Sequence, residues 1–412
     1  MSGALPGSVV IGGYVNALGA VRSLAEDGGI PVDVVLTMPQ DICQHSRWVR
    51  RHLSLLELAA RPDALLELLD REARAWRGWT LTPTNDHALA VLSRHHEELS
   101  RNFVLTFPPW DVTRKVLDKR ETYAAARALG IEMPRSWGPA TRANTSRTEI
   151  ELPVVVKPAH GHLFAERFGK KLFYVRRRDD LVRIVDDVEA AGIECEILDM
   201  IPGPDSNTYS YQVYLDPRGI PLAEFSMRKL RQSPPLFGVS RAAVTAHAPE
   251  LREPTIELLR SIGWRGIASV QYKRDPRSGR FLLLEINGRC FLPHGLARRA
   301  GINFPLLSHH EHLTGERAGV RPNGWEGYWI HLHADLLYTV LCLGREEMDW
   351  KVFLRSYAGP KTFAVWSRRD PKPFFMEWLH TLKKAPRVLL RREERALLLG
   401  RVQRGGPLRP SG

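Results

Sequence analysis

The chain has 412 residues, more than one typical core holds, so two or three domains are expected. With 43% hydrophobic and 25% charged residues, and no run near the ~20 apolar residues of a membrane span, the composition excludes an unstructured or membrane-embedded chain. The net charge of +13 is uneven, because residues 371–412 hold ten Lys or Arg against three Glu; this basic excess bears on partners and not on fold.

The opening stretch, MSGALPGSVVIGG, has no basic start and no adequate apolar core, so no signal peptide is expected. Ser8 to Ile11 reads as a strand, followed by Gly12-Gly13 and a helical pattern through Ala17, Leu18, Val21 and Leu24. Val32 to Leu36 is a second strand, so the chain opens as a parallel α/β unit. GGYVNALG does not fit the dinucleotide fingerprint, and the glycines are read as a tight strand-to-helix turn or a nucleotide loop. A helix over Pro62 to Arg77, a strand at Thr80 to Thr82, a helix over Asp86 to His96 and a weak strand at Val104-Leu105 complete a first domain, residues 1–111.

Asp111 to Gly130 is expected as one helix with Gly130 as its stop. LPVVVK, residues 152–157, is an apolar strand ending in Lys157, either a solvated strand end or a cation at the rim of a sheet. AHGHLFAERFGKK, residues 159–171, reads as a mobile hairpin able to cover a phosphate chain. A helix from Asp179, a strand from Glu194 to Ile201, a strand pair over Ser210 to Arg228, a basic loop from Lys229 to Pro235 and a helix from Glu253 follow.

Ile267 to Arg289 is a hairpin of two strands around Asp275-Pro276-Arg277-Ser278-Gly279. Residues i and i+2 of a strand share a face, so Glu285 and Asn287 present oxygen donors side by side, and Gln271 can add a third. One carboxylate and two amides, without thiol or imidazole, suit Mg²⁺; the alternative is an edge hairpin with ordinary polar ends. A loop and a helix over residues 291–314 close this second region, residues 112–318.

Residues 319–412 differ in character, with Trp325, Trp329, Trp350, Trp366 and Trp378 and a helical, buried stretch from Ile330 to Gly344. Phe374 to Leu399 has an apolar face and a basic one and is expected to break at Pro386; residues 401–412 are expected to be disordered. This tail reads as a helix packed on the body or as a contact with an anionic membrane surface. No nucleic-acid motif accompanies it. Cys43, Cys195, Cys290 and Cys342 lie far apart without CxxC spacing, which argues against a thiolate zinc site or a disulfide framework and for a reducing, cytoplasmic setting.

Five segments, LDKRETYAAARALGIEMPRSW, LPVVVKPA, ILDMIPGPD, FSMRKLRQSPP and LLLEINGRCFLPHGLARRAGINFP, resemble in order the motifs of the ATP-grasp superfamily, of the carboxylate–amine or carboxylate–thiol ligase type in its ATP-dependent carboligase branch. The resemblance implies a small parallel α/β domain, a two-lobed ATP-binding domain with antiparallel sheets, and here a helical C-terminal extension. It implies ATP and Mg²⁺ as cofactors and small-molecule carboxylate and amine substrates. Lys119 and Lys157 match the lysines that contact the nucleotide phosphates. Asp199, Met200 and Ile201 match the interlobe strand that reads adenine through its backbone, and Asp205 is the candidate for a ribose hydroxyl. Glu285, Asn287 and Gln271 match the metal ligands, with Gln271 standing where many members carry a carboxylate. Arg289 matches an arginine on phosphate or acyl intermediate, and Arg228, Lys229 and Arg231 match a basic segment of the same cleft. His294, beyond Arg289, is a candidate ionisable group whose alternative is a helix-start or packing role. The implied reaction is carboxylate attack on the γ-phosphate of ATP, the acyl phosphate then being captured by an amine or similar nucleophile. A small-molecule phosphotransferase, and a nucleotide-binding scaffold held at a membrane by its basic tail, are the alternative readings.

Overall fold

The structure is a computed structural model that describes residues 5–39, 41–58, 60–159, 164, 167–169, 172–233, 238–317, 319–341 and 349–390. Its first sheet is built from β1 (Ser8–Gly12), β2 (Val32–Leu36), β3 (Arg51–Ser54), β4 (Thr80–Pro83) and β5 (Val104–Leu105), in the order β3-β2-β1-β4-β5 and parallel throughout. Parallel strands are covered on both faces, which is why SVVIG and VDVVL are apolar without alternating polarity. Val9, Ile11 and Leu81 enter one core; Val10, Val32 and Val34 enter another with Leu18 and Val21 of the helix Tyr14–Val21. β3, which sequence reading passed over, alternates half-buried and exposed residues as an edge strand does.

A second, antiparallel sheet is formed by β6 (Ser136–Pro139), β7 (Val154–Pro158), β8 (Phe173–Val175) and β9 (Cys195–Asp199), ordered β6-β9-β7-β8. Val154, Val156 and Ile197 meet Leu181, Val185 and Val188 of the helix Arg178–Ala190 in a core of their own. Val155 and Leu198 point to the other face of this sheet and join Tyr123 in a different cluster.

The third sheet holds β10 (Thr208–Leu215), β11 (Pro221–Ser233), β12 (Val239–Thr245), β13 (Gly266–Arg274), β14 (Phe281–Asn287), β15 (Tyr328–Ile330) and β16 (Lys361–Phe363) in the order β14-β13-β10-β11-β12-β15-β16. Tyr211, Val213, Val270 and Tyr272 pack on Ile256, Leu258 and Leu259 of the helix Arg252–Ser261. Tyr214, Ile267 and Met227 face the other way, into the core shared with Leu18 and Val34. An antiparallel sheet and a second one that is antiparallel except for the parallel pair β15–β16, on a parallel α/β unit, give the mixed α/β and α+β class expected from the sequence.

Several local expectations are corrected. The proposed basic loop from Lys229 is strand up to Ser233, carried through by register shifts between Lys229 and Gln232, and residues 234–237 lie outside the described residues. The stretch from Ile330 is not all helix: Tyr328–Ile330 is β15, and the helix is Leu332–Leu341. Pro386 does not end the last helix, which runs Lys372–Leu390; the proline removes one donor and the helix continues past it.

The Trp-rich extension is tied into the body. It adds β15 and β16 to the third sheet, and Trp329 is fully buried. The Asp370 carboxylate, 1% exposed, accepts hydrogen bonds from Arg22 Nε and Nη2 (3.1 Å each), Ser46 Oγ (2.7 Å) and the Arg47 backbone N–H (3.0 Å). Four-fold pairing of this kind is what makes a buried carboxylate tolerable. No helix among the described residues is long and apolar enough to cross a membrane. The basic tail from residue 391, including the stretch expected to be disordered, lies outside the described residues.

Candidate active site

Asp118 breaks the helix expected over Asp111 to Gly130. At φ −88° and ψ 113° it leaves the helical region, and its carboxylate accepts the Arg120 backbone N–H at 2.9 Å, capping a new helix. The two halves are Trp110–Leu117 and Lys119–Ala128, and Lys119 becomes the first residue of the second. Tyr123 lies one turn on, hence on the same face. Lys119 and Tyr123 line a cavity of about 370 Å³ with Lys157, Leu198, Glu196 and Ala140. That volume lies in the range of sites for small organic ligands.

Lys157 is carried by β7 two residues after Val155, on the face turned away from the small-lobe core. Its Nζ donates to the Leu284 carbonyl at 2.9 Å and to the Tyr123 hydroxyl at 3.1 Å, and Tyr123 itself donates to the Leu284 carbonyl at 3.1 Å. Leu284 is available because the β13–β14 ladder slips there: Gln271 pairs with Glu285 and Tyr272 with Leu283, leaving Leu284 as the extra residue of a bulge. The bulge thus joins a lysine of the second sheet to a strand of the third. Burial pulls the Lys157 ammonium down from the usual lysine value, and the charges of Glu285 and Glu196 act against it. Burial also pushes the Tyr123 hydroxyl up, with Glu285 and Glu196 acting in the same sense.

Glu285, Asn287 and Gln271 share one face, as the cross-strand pairs Gln271–Glu285 and Ser269–Asn287 require. All three are half-buried and so open to a ligand from solvent. Asn287 turns Nδ2 toward Glu285 Oε1 (3.4 Å) and gives Oδ1 to Arg289 (3.0 Å); a half-turn of the amide would set its oxygen beside the carboxylate. One carboxylate and two amides are the hard-oxygen set that a hydrated Mg²⁺ accepts, so these residues fit that ion. Gly288 is needed here because a Cβ would meet the ring of buried Trp264 at 2.3 Å.

Arg289 is held from the first domain. Its Nε donates to Asp86 Oδ1 at 2.6 Å, and Asp86 opens the helix Asp86–Arg94 after β4. Partial desolvation raises the Asp86 pKa, but the charge and hydrogen bond of Arg289 outweigh it and hold the carboxyl below its ordinary value.

The remaining candidates separate. Met227 and Lys229 follow Ser210 and Gln271 on one face of the third sheet, so Lys229 shares the face of Glu285; Arg228, opposite Tyr209, takes the other face. Arg231 is corrected: its buried guanidinium makes a bidentate pair with Asp335 (2.8 and 2.7 Å) and also donates to Ser356, which commits it to the C-terminal extension. Asp199 accepts from Trp137 Nε1 at 2.6 Å, and its backbone N–H goes to Arg135 O. Met200 donates its N–H to Pro153 O, and Ile201 gives its carbonyl to Lys273 Nζ at 2.9 Å. Among the described residues Ile201 N–H has no backbone acceptor, which leaves it the group suited to an acceptor edge. Asp205, the candidate for a ribose hydroxyl, accepts the Gln232 backbone N–H (3.1 Å) and its Nε2 (2.8 Å), one bond on each carboxylate oxygen. His294, 2% exposed, bonds Phe291 O and packs where a Cβ on Gly19 would come within 2.5 Å of its ring, so it has the packing role at the start of the helix His294–Arg299. Most of the expected phosphate-covering hairpin, with Lys170 and Lys171, lies outside the described residues.

Sequence reading missed Tyr123, Asp86 and Glu196. The i,i+4 spacing from Lys119 marks Tyr123, whereas nothing local marks Asp86, which meets Arg289 across 203 residues.

The sequence matches no family model. A D-aspartate ligase of Enterococcus faecium (strain Aus0004) is 24% identical over 229 residues, 51% of this chain and 53% of the relative, so the chain spans about half the length of the curated relative it matches. Among solved structures, the L-amino acid ligase of Bacillus licheniformis superposes with a TM-score of 0.59 at 18% identity, covering 77% of this chain and 78% of that one. The biotin carboxylase domain of Hydrogenobacter thermophilus 2-oxoglutarate carboxylase, solved with MgADP and bicarbonate, gives 0.61 at 18% identity, covering 78% and 73%. An ADP complex of PurK, an N5-carboxyaminoimidazole ribonucleotide synthetase, gives 0.60 at 15% identity, covering 85% and 91%. With a parallel α/β unit followed by the antiparallel β6–β9 sheet and the largely antiparallel β10–β16 sheet, the chain has the ATP-grasp fold.

Proposed function

We propose that this protein is a Mg-ATP-dependent ligase that activates a carboxylate as an acyl phosphate for capture by an amine. The observation that supports it best is the bond from Lys157 to the Leu284 carbonyl, which joins the cation side of the cavity to the strand carrying Glu285. In this reading Lys119 and Lys157 receive the phosphates, Ile201 N–H meets the adenine edge, and Glu285, Asn287 and Gln271 hold Mg²⁺. Bound there, Mg²⁺ would offset charge on the transferring phosphoryl group. Arg289 is placed for the carboxylate substrate or the acyl phosphate, and Asp86 holds it until one arrives. Phosphoryl transfer needs mainly positioning and charge stabilisation, which suits a site of lysines, an arginine and oxygen donors without a nucleophilic triad.

An amino acid is the substrate class we favour, since two of the similar proteins are named for ligation of amino acids. Incubation with Mg-ATP, a panel of D- and L-amino acids and other carboxylates, and hydroxylamine tests the reading. ADP formed together with a hydroxamate is the expected result. ADP with a stable phosphorylated product would replace it by a phosphotransferase, and nucleotide binding without turnover on any carboxylate would replace it by a scaffold.

A further inference from the structure

Four side chains far apart in sequence meet away from Glu285. His331 follows β15, His333 lies in the first turn of the helix Leu332–Leu341, Glu377 is on the helix Lys372–Leu390, and Tyr14 begins the helix after β1. The three ligand-type side chains are 3%, 7% and 3% exposed in that order. One ligand atom from each of His331, His333 and Glu377 lies within 4.8 Å of the others. His331 Nε2 stands 2.7 Å from Glu377 Oε1, His333 Nδ1 stands 3.6 Å from the same oxygen, and the Tyr14 hydroxyl donates to it at 2.7 Å.

The hydrogen bonds around His333 decide where its proton is. Thr381 Oγ1 gives its proton to the Glu377 backbone carbonyl at 3.1 Å, so the same oxygen accepts from His333 Nε2 at 2.7 Å. With the proton on Nε2, Nδ1 carries a lone pair, and that lone pair is directed at a carboxylate. Two acceptors therefore face each other out of contact with water. Neither His333 Nδ1 nor Glu377 Oε2 has a hydrogen-bond partner. Buried polar atoms left in this state are costly and call for an explanation. A cation between the two imidazoles and the carboxylate supplies one for both atoms.

We infer that His331, His333 and Glu377 form a binding site for one divalent transition-metal ion of the zinc class. Two imidazole nitrogens and a carboxylate oxygen are a borderline-soft set that favours such an ion over Mg²⁺, which seeks oxygen alone. The absence of paired cysteines excludes a thiolate site only. Tyr14 orients the carboxylate by its hydrogen bond to Glu377, with its hydroxyl 3.5 Å from His331 Nε2. Its φ of 57°, left-handed for a residue with a Cβ, is held by the bond from its N–H to Asp41 Oδ2 at 2.7 Å. Thr381 fixes the His333 tautomer, as partners of metal-bound histidines do. The ligands come from the end of β15, from the helix that follows it and from the helix Lys372–Leu390, so the ion would tie these parts of the C-terminal extension together, and Tyr14 would link them to the helix after β1.

The full-length protein, stripped with chelator and kept in excess Mg²⁺ to saturate oxygen-only sites, is titrated with Co²⁺ and then Zn²⁺. Wild-type protein should take up one equivalent of Co²⁺ with visible ligand-field absorption, lose that absorption to one equivalent of Zn²⁺, and melt at a higher temperature with Zn²⁺. Glu377→Gln and His333→Gln should bind at least about 100-fold more weakly, and Thr381→Val about tenfold. Glu285→Ala should bind as wild type does. No Co²⁺ uptake by wild-type protein, or unchanged affinity in either ligand variant, overturns the site. Should both ligand variants fail to fold, the wild-type titration and Thr381→Val decide it.

Discussion

Two polar assemblies among the described residues are each built around one glutamate, and their surroundings differ. Glu285 is half-buried, its charge acts on both Lys157 and Arg289, and Lys157 lines a cavity of about 370 Å³. Glu377 is sealed, and its neighbours are two imidazoles and a phenol. An open, cation-rich site suits a large anion that comes and goes. A sealed site with nitrogen lone pairs suits a small cation that stays. On the two proposals, the same carboxylate group would serve transient binding in one place and permanent assembly in the other, according to what stands around it.

The sharpest way to break this contrast is to remove each glutamate. Glu285→Ala should reduce ATP turnover to background while the melting temperature stays near that of wild type; turnover in that variant, measured as ADP release, would sink the site. Lys157→Ala should also abolish turnover, by loss of the charge that meets the phosphates. Asp335→Asn should act on stability instead: it leaves the Arg231 guanidinium buried without its anion, at a cost of about 3–5 kcal/mol seen in denaturant unfolding. Asp86→Asn should be milder. It frees Arg289, and a change of about tenfold in the KM for the carboxylate with little change in kcat is expected if Asp86 only holds the arginine.

The smallest expected effect is on pH dependence. Burial lowers the Lys157 pKa, and Glu285 and Glu196 oppose that. If the charged lysine binds the triphosphate as proposed, Mg-ATP affinity should fall as pH rises through this depressed pKa, beginning below the usual lysine range. Glu196→Gln removes one of the groups that raise it, so the fall should begin at lower pH. Titration of binding from neutral to alkaline pH reads both.

Legibility followed sequence distance. Glu285, Asn287 and Gln271 belong to one hairpin, where strand periodicity puts donors on one face, and the parallel opening sheet announced itself by apolar runs. The alternation that placed Lys229 on the site face also separates Arg228 from it, which a motif read as a basic cluster does not convey. Arg231 looked like a phosphate ligand because its partner, Asp335, lies 104 residues on. The helix break at Asp118 was hidden by strong helix formers on both sides; only the cap reveals it. The Glu377 assembly draws on positions 14, 331, 333 and 377, and no window of sequence contains it.

The central claim is that Glu285 and Lys157 belong to one Mg-ATP site, and equilibrium binding of ATP with and without Mg²⁺ tests it most directly. Wild-type protein should bind ATP more tightly with Mg²⁺ than with chelator. Glu285→Ala should lose that increment and keep the binding seen in chelator, while Lys157→Ala should weaken both. A Mg²⁺ increment that survives in Glu285→Ala would contradict the account.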